Sequence, residues 1–139
     1  MTPDMVQLAH GNVEQVGTAN VHFRLGEIEE IPFEGGMFDV VISNCVIDLS
    51  PDKPRVFAEA FRMLRPGGRL RVSDMVLARE LPEDRRRDLE PWAGCIAGAL
   101  PVEEYQAAIR DAGFVDVSAQ YDDDGRGISS AYVSARRPG

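Results

Sequence analysis

Two cysteines, one lysine and one tryptophan are all that the 139 residues contain of these types. Cys45 and Cys95 are too few for a disulfide framework. With no signal-like amino terminus, they point to a reducing compartment, the cytoplasm. Lys53 stands alone against fourteen arginines, which reads as a coding bias. The 15 basic residues are outnumbered by 23 acidic ones, and the net charge of −8 makes nucleic acid and anionic membranes poor partners. No apolar run approaches the ~20 residues needed to cross a bilayer. His10 and His22 are isolated, without metal-ligand spacing, and no Ser/His/Asp grouping occurs. Internal repeats and low-complexity linkers are absent too.

What remains is ordinary for a globular chain, 44% hydrophobic and 27% charged, with a length that fits one domain. Thr2-Pro3-Asp4 reads as a helix start, Met5, Leu8, Ala9, Val13 and Val16 as its apolar spacing, and Gly17 as its stop. Residues 20–26 alternate and predict a strand. The acidic segment 27–33 leaves it, and Glu34-Gly35-Gly36 turns the chain. A second helix opens at Ser50-Pro51-Asp52-Lys53, carries Val56, Phe57, Ala60, Phe61 and Leu64 inward, and stops at Arg65-Pro66-Gly67-Gly68. A strand over 69–74 follows, and Asp39 and Asp74, read as flanking strands, are expected to bond local backbone. The charged stretch 80–90 predicts a helix or lid, with Arg85-Arg86-Arg87 on a solvated face, and a helix runs from Pro101 to Ala112. Val115 to Tyr121 and Ala131 to Arg136, around an acidic glycine loop, predict a terminal hairpin. Alternating strands and helices make this a mixed α/β sheet.

The residues with chemical promise cluster around Ile42-Ser43-Asn44-Cys45-Val46-Ile47-Asp48-Leu49. Phe38 to Ile42 is a β-branched run of the kind buried on both faces of a parallel sheet. Asn44 and Cys45 stand at its carboxyl end, where open α/β sheets bind ligands. Three readings of Cys45 and Cys95 stand: two small buried hydrophobes, a disulfide disfavoured by the compartment, or a dithiol site.

Three pieces resemble the class I S-adenosylmethionine-dependent methyltransferases: Gly26-Glu27-Ile28-Glu29-Glu30-Ile31-Pro32-Phe33, Phe38 to Ser43, and Leu64-Arg65-Pro66-Gly67-Gly68-Arg69-Leu70. A narrower likeness, to the arsenite methyltransferases, lies in Ile42 to Lys53 and in Ala93-Gly94-Cys95-Ile96-Ala97-Gly98-Ala99-Leu100-Pro101. The resemblance covers nearly all of the chain. It implies an α/β, Rossmann-like sheet, incomplete because its first two strands, with their glycine-rich cofactor turn, are missing. Met1 to Met5 resembles the segment just after the family's acidic ribose-binding residue, so the chain corresponds to the carboxyl-terminal part of such an enzyme, a single partial domain. Another cysteine usual in the upstream portion is absent, and at Asp48 the family more often has Asn.

The resemblance further implies that Cys45 and Cys95 hold trivalent arsenic as substrate and that S-adenosyl-L-methionine is the cofactor. Arsenic(III) is soft and thiophilic, and the thiolate is the binding form. Glu27, Ile28 and Glu29 match the adenine-contacting loop, a carboxylate accepting from the exocyclic amine; otherwise they are a solvated acidic turn. Asn44 is expected near the cofactor's reactive end, or is a plain turn residue. Trp92 either covers the site or packs. Two other functions remain open, a non-catalytic dithiol metalloid binder and a methyltransferase of other specificity with inert cysteines. In the complete fold the missing strands would separate 20–26 from 38–43. Strand 20–26 should therefore re-pair beside 38–43, or a homodimer or domain swap should cover the edge.

Overall fold

The computed structural model describes residues 2–79, 96, 98–123, 125 and 127–139. Over them run α1 (Pro3–Val16), β1 (Phe38–Asn44), a 3-10 turn (Ile47–Leu49), α2 (Lys53–Met63) and β2 (Leu64–Leu77). Then come β3 (Leu100–Pro101), α3 (Val102–Asp111), β4 (Val115–Tyr121) and β5 (Ile128–Arg136). The five strands form one mixed sheet in the order β1-β2-β5-β4, with β3 also paired to β2. β1 and β2 are parallel, joined across α2, and the β4–β5 hairpin adds antiparallel to β2. Because β5 occupies one edge of β2 as far as Leu77, β3 takes the other edge, beyond the end of β1.

The helices begin where their sequences direct. Thr2 Oγ1 accepts from the Met5 amide at 3.3 Å, and Asp52 Oδ1 accepts from the Arg55 amide at 3.1 Å. Gly17, at φ 72, ends α1 in the left-handed conformation that glycine adopts at least cost. α2 and α3 cover one face of the sheet. Phe57 meets Tyr105 edge-to-face with centroids 5.2 Å apart, and Phe61 meets Phe114 at 5.1 Å. Beneath them Leu70, Val72, Val76, Ala131 and Val133 are buried, the alternate residues of two neighbouring strands. On the opposite face Ile42 and Tyr132 are 77% and 66% exposed.

Four expectations change. Residues 20–26 are not a strand. Strand structure needs a neighbour's backbone to bond, and this segment does not lie beside β1, whose outer edge is unpaired among the described residues. It touches α1 instead, through His10 and Phe23 at 5.3 Å, and α1 buries none of its residues. Second, Pro66-Gly67-Gly68 is not merely a stop, since β2 already begins at Leu64. From Phe38–Leu64 to Val40–Arg69 the register advances two residues on β1 and five on β2, so the turn is a bulge inside the ladder. A Cβ on Gly68 would stand 2.8 Å from the Arg65 carbonyl oxygen. Third, Asp74 lies inside β2, fully buried. Fourth, β1 is not buried on both faces, since Ile42 stands 77% exposed on the uncovered side, and Lys53 is buried instead. Segment 80–90, with its arginine run, lies outside the described residues.

Candidate functional site

β1 delivers Asn44 and Cys45 to the carboxyl edge of the sheet. Asn44 is the last β1 residue, paired in register with Ser73. At Cys45 the backbone turns to φ 52, a left-handed conformation that costs a non-glycine residue about 1–2 kcal/mol. The Cys45 amide repays part of that by donating to the Ser73 carbonyl at 2.9 Å. The chain then drops into the 3-10 turn that buries Ile47 and Asp48. The Cys45 side chain is left half-buried at the rim.

Glu27, Ile28 and Glu29 form a tight turn in which the Glu30 amide donates to the Glu27 carbonyl at 3.1 Å. Ile28 packs against the core, while Glu27 is exposed. The turn is strapped to neighbouring elements. Ser50 Oγ donates to Glu29 Oε1, and Arg55 Nε donates to the Glu29 carbonyl at 3.1 Å. Glu59 Oε1 accepts the Ile31 amide at 3.0 Å, and Arg62 donates to the carbonyls of Ile31 and Phe33 at 3.1 and 3.0 Å. The Arg62 guanidinium holds the Glu59 carboxyl below its usual range.

Between this turn and the residues that follow Cys45 opens a cleft of about 480 Å³, walled by Ile28, Pro32, Phe33, Val46 and Leu49. Glu27 and Glu29 also line it. Apolar walls with a carboxylate at the edge suit a flat heteroaromatic ring bearing an amine, as the adenine of S-adenosylmethionine does. Glu29 Oε1 already accepts from Ser50, so Glu27 is the better placed acceptor. Asn44 is not brought to this cleft. It lines a separate one of about 420 Å³ on the uncovered sheet face, with Ile42, Arg71, Gln120 and Tyr132. Cys95 and Trp92 lie outside the described residues.

Under Cys45 sits a polar cluster that sequence reasoning passed over. Tyr105 donates to Asp74 Oδ2 at 2.7 Å, and the Met75 amide donates to Asp48 Oδ2 at 3.0 Å. Lys53 Nζ donates to the carbonyls of Asp48 and Ser50 at 3.3 and 3.2 Å. The remaining carboxylate oxygens, Asp48 Oδ1 and Asp74 Oδ1, are buried without a hydrogen-bond partner among the described residues. Burial, then the neighbouring Asp74 charge, pushes Asp48 up to about 7 against the pull of Lys53. Burial raises Asp74 as well, opposed by the Tyr105 hydroxyl and by the amides of Cys45 and Val46. Burial lifts Tyr105 well above the usual phenol range, so it stays a donor. An acidic residue inside an otherwise apolar alternation, Leu70-Val72-Asp74-Val76, is the sequence signal that marks this cluster.

The sequence profile of the methyltransferase domain family matches residues 1–113. The arsenite methyltransferase of Halobacterium salinarum is 40% identical over 152 residues, covering 99% of this chain and 39% of that protein. The arsenite methyltransferase of Aquipseudomonas alcaligenes is 41% identical over 123 residues, covering 84% of this chain and 36% of that protein. The chain thus spans less than two-fifths of these curated relatives. Among solved structures, an arsenic(III) S-adenosylmethionine methyltransferase from Chlamydomonas reinhardtii superposes with a TM-score of 0.75 at 32% identity. That match covers all of this chain and 53% of the other. A phosphoethanolamine N-methyltransferase from Haemonchus contortus, at 16% identity and a TM-score of 0.81, shares the fold alone. With this α/β sheet and these relatives, the chain belongs to the methyltransferase domain family, as an arsenite methyltransferase-like member of class I.

Proposed function

We propose that this chain carries the arsenic-binding part and the adenine side of an S-adenosylmethionine-dependent arsenite methyltransferase. Cys45 and Cys95 hold trivalent arsenic as two thiolates, which displaces its hydroxyls and leaves its lone pair exposed. The carrying observation is Cys45 itself, held in a left-handed turn at the carboxyl end of β1 next to the cleft of Glu27 and Ile28. Residues held in strained backbone conformations recur at functional sites, and the carboxyl ends of strands are where open α/β sheets bind ligands. Register supports a partner thiol nearby. Leu100 pairs with Val76, three residues beyond the Ser73 partner of Asn44 on the same edge of β2, about 10 Å along the strand. Cys95 precedes Leu100 by five residues of sequence, a reach of at most ~18 Å.

Glu27 accepts from the adenine amine, the Ile28 amide faces the ring, Glu29 fixes the turn through Ser50, and Asn44 orients the cofactor near its reactive end. When bound, S-adenosylmethionine supplies an electrophilic methyl group. The chain's own contribution is proximity and orientation rather than acid–base chemistry. The first two strands of the fold, with the glycine-rich turn, are the missing ones, and the open outer edge of β1 supports that assignment. The setting is cytoplasmic and the substrate a small arsenical; no helix among the described residues is long and apolar enough to cross a membrane.

A trivalent phenylarsenical tests the dithiol. It should bind one-to-one and be lost on Cys45→Ser or Cys95→Ser, whereas inert cysteines would leave both variants like the parent. Calorimetry with S-adenosylmethionine then separates an enzyme from a second reading, a non-catalytic metalloid binder. The absence of any glycine-rich cofactor turn from the sequence favours that second reading where no heat of binding is found.

A further inference from the structure

We propose that Lys53 is a positioning residue for the cleft beside Glu27, holding the 3-10 turn so that Ser50 fixes the Glu29 carboxylate. For its functional consequence the proposal rests on the adenine reading above. Lys53 opens α2 and is only 8% exposed. Its Nζ donates to the carbonyls of Asp48 and Ser50 at 3.3 and 3.2 Å. The turn closes on itself through the Leu49 amide on the Val46 carbonyl at 3.1 Å and the Ser50 amide on the Ile47 carbonyl at 3.0 Å. So short a 3-10 turn holds itself weakly, and the ammonium takes the carbonyls that its own amides leave open. Val46 and Leu49 wall the cleft, and Ser50 lines it beside Glu29. Ser50 Oγ donates to Glu29 Oε1 and accepts the Asp52 amide at 3.1 Å. Arg55 Nε holds the Glu29 carbonyl, so Glu29 is tied by both side chain and backbone. One buried ammonium is therefore linked, through the 3-10 turn and Ser50, to the acidic turn that carries Glu27.

Two purely structural alternatives account for these contacts less well. As the first residue of α2, a cation opposes the helix dipole, and burying an ammonium is costly. An apolar residue of similar length would serve helix and core without either cost. What it could not do is donate to two carbonyls of the neighbouring turn. The other alternative makes Lys53 a counter-charge for Asp48 and Asp74, both of which its charge pulls down. A counter-ion would lie against a carboxylate. Among the described residues Lys53 forms no ion pair, and its hydrogen bonds go to backbone carbonyls of the turn.

Two variants of the full chain test the proposal. Lys53→Met keeps an apolar stem and removes the donors, while Ser50→Ala cuts the bond to Glu29 directly. The first readout is the side-chain carboxyl carbon signal of Glu29 by NMR. It should move in Lys53→Met toward its position in Ser50→Ala. The second readout is the ratio of adenosine to inosine affinity, since inosine has a carbonyl where adenosine has the amine. The parent should prefer adenosine by about tenfold, and both variants should bring the two nucleosides within about threefold of each other. A lysine that only supports the core would weaken both nucleosides in parallel and leave the ratio unchanged, which overturns the proposal. A folded Lys53→Met with the parent's Glu29 signal overturns it as well. A shifted Glu29 signal in a chain whose parent binds neither nucleoside, or both alike, upholds the positioning and defeats the adenine reading instead. Should Lys53→Met fail to fold, an unmoved Glu29 signal or an unchanged ratio in Ser50→Ala is sufficient to refute the link from the turn to the cleft.

Discussion

Asp48→Asn removes one of two buried carboxylates without altering side-chain shape, and its effect should depend on pH. Asp48 titrates near 7 in the fold against an ordinary 3.8, so the folded state holds the extra proton between those values. Stability from this group is complete below about pH 4, declines as pH rises and stays low above 7. The variant escapes that loss. Its gain over the parent should be larger at pH 8 than at pH 5 by on the order of 2 kcal/mol, each pKa unit being worth about 1.4 kcal/mol. Melting curves at the two pH values decide it, and equal gains would mean that Asp48 is charged throughout. Neither this pair nor Tyr105 is legible from residue type. A carboxylate's burial depends on which helix lies over its strand, and α3 is 28 residues downstream of Asp74.

At the scale of elements, the strap from α2 to the 27–33 turn and the bulge at the start of β2 carry separate predictions. Arg62→Ala deletes two guanidinium bonds to loop carbonyls and the ion pair with Glu59, all of them partly exposed. Exposed pairs are worth little, so the melting temperature should move by only a few degrees. The cleft beside Glu27 should loosen more, and S-adenosylmethionine affinity, where calorimetry detects it, should fall several-fold. Unaltered affinity would detach the strap from the site. Gly68→Ala forces a Cβ against the Arg65 carbonyl and Leu64. Its cost should be about 1–3 kcal/mol by denaturant titration, comparable to overpacking elsewhere. The spacing of apolar residues and the capping residues foretold α1, α2, α3, β1 and β4 almost to the residue, while β5 begins three residues before the expected Ala131. It misread 20–26, because alternation describes a strand's faces and cannot supply the neighbour that makes it one.

The whole molecule shows an apolar parallel strand at a sheet edge. β1 has no partner on its outer side among the described residues, and Ile42 stands 77% exposed there. Met5, Leu8 and Val16 on α1 are also exposed, at 59%, 67% and 77%. Such an edge recruits strands, and a homodimer or domain swap of this chain would cover it. Light scattering should find dimers or larger species, and Ile42→Lys should shift them toward monomer by placing a charge on the edge. A stable monomer of the parent chain with β1 exposed would refute the association. The uncovered face and α1, which buries none of its residues, both leave apolar surface open, in a chain that spans less than two-fifths of the arsenite methyltransferase relatives it matches.

Local sequence determined the helices, their caps, the β-branched run of β1 and the presence of a thiol at its end. Each of these depends on residues within one or two turns of chain, where spacing and capping chemistry act directly. The likeness of 42–53 and 93–101 to arsenite methyltransferases likewise belongs to the sequence. Only tertiary structure decided that 20–26 stays out of the sheet, that Lys53 is buried, and that Asn44 and Glu27 line different clefts. It alone brought Asp74 and Tyr105 together. Those outcomes turn on contacts between residues tens of positions apart, and no local pattern encodes which distant side chain will arrive.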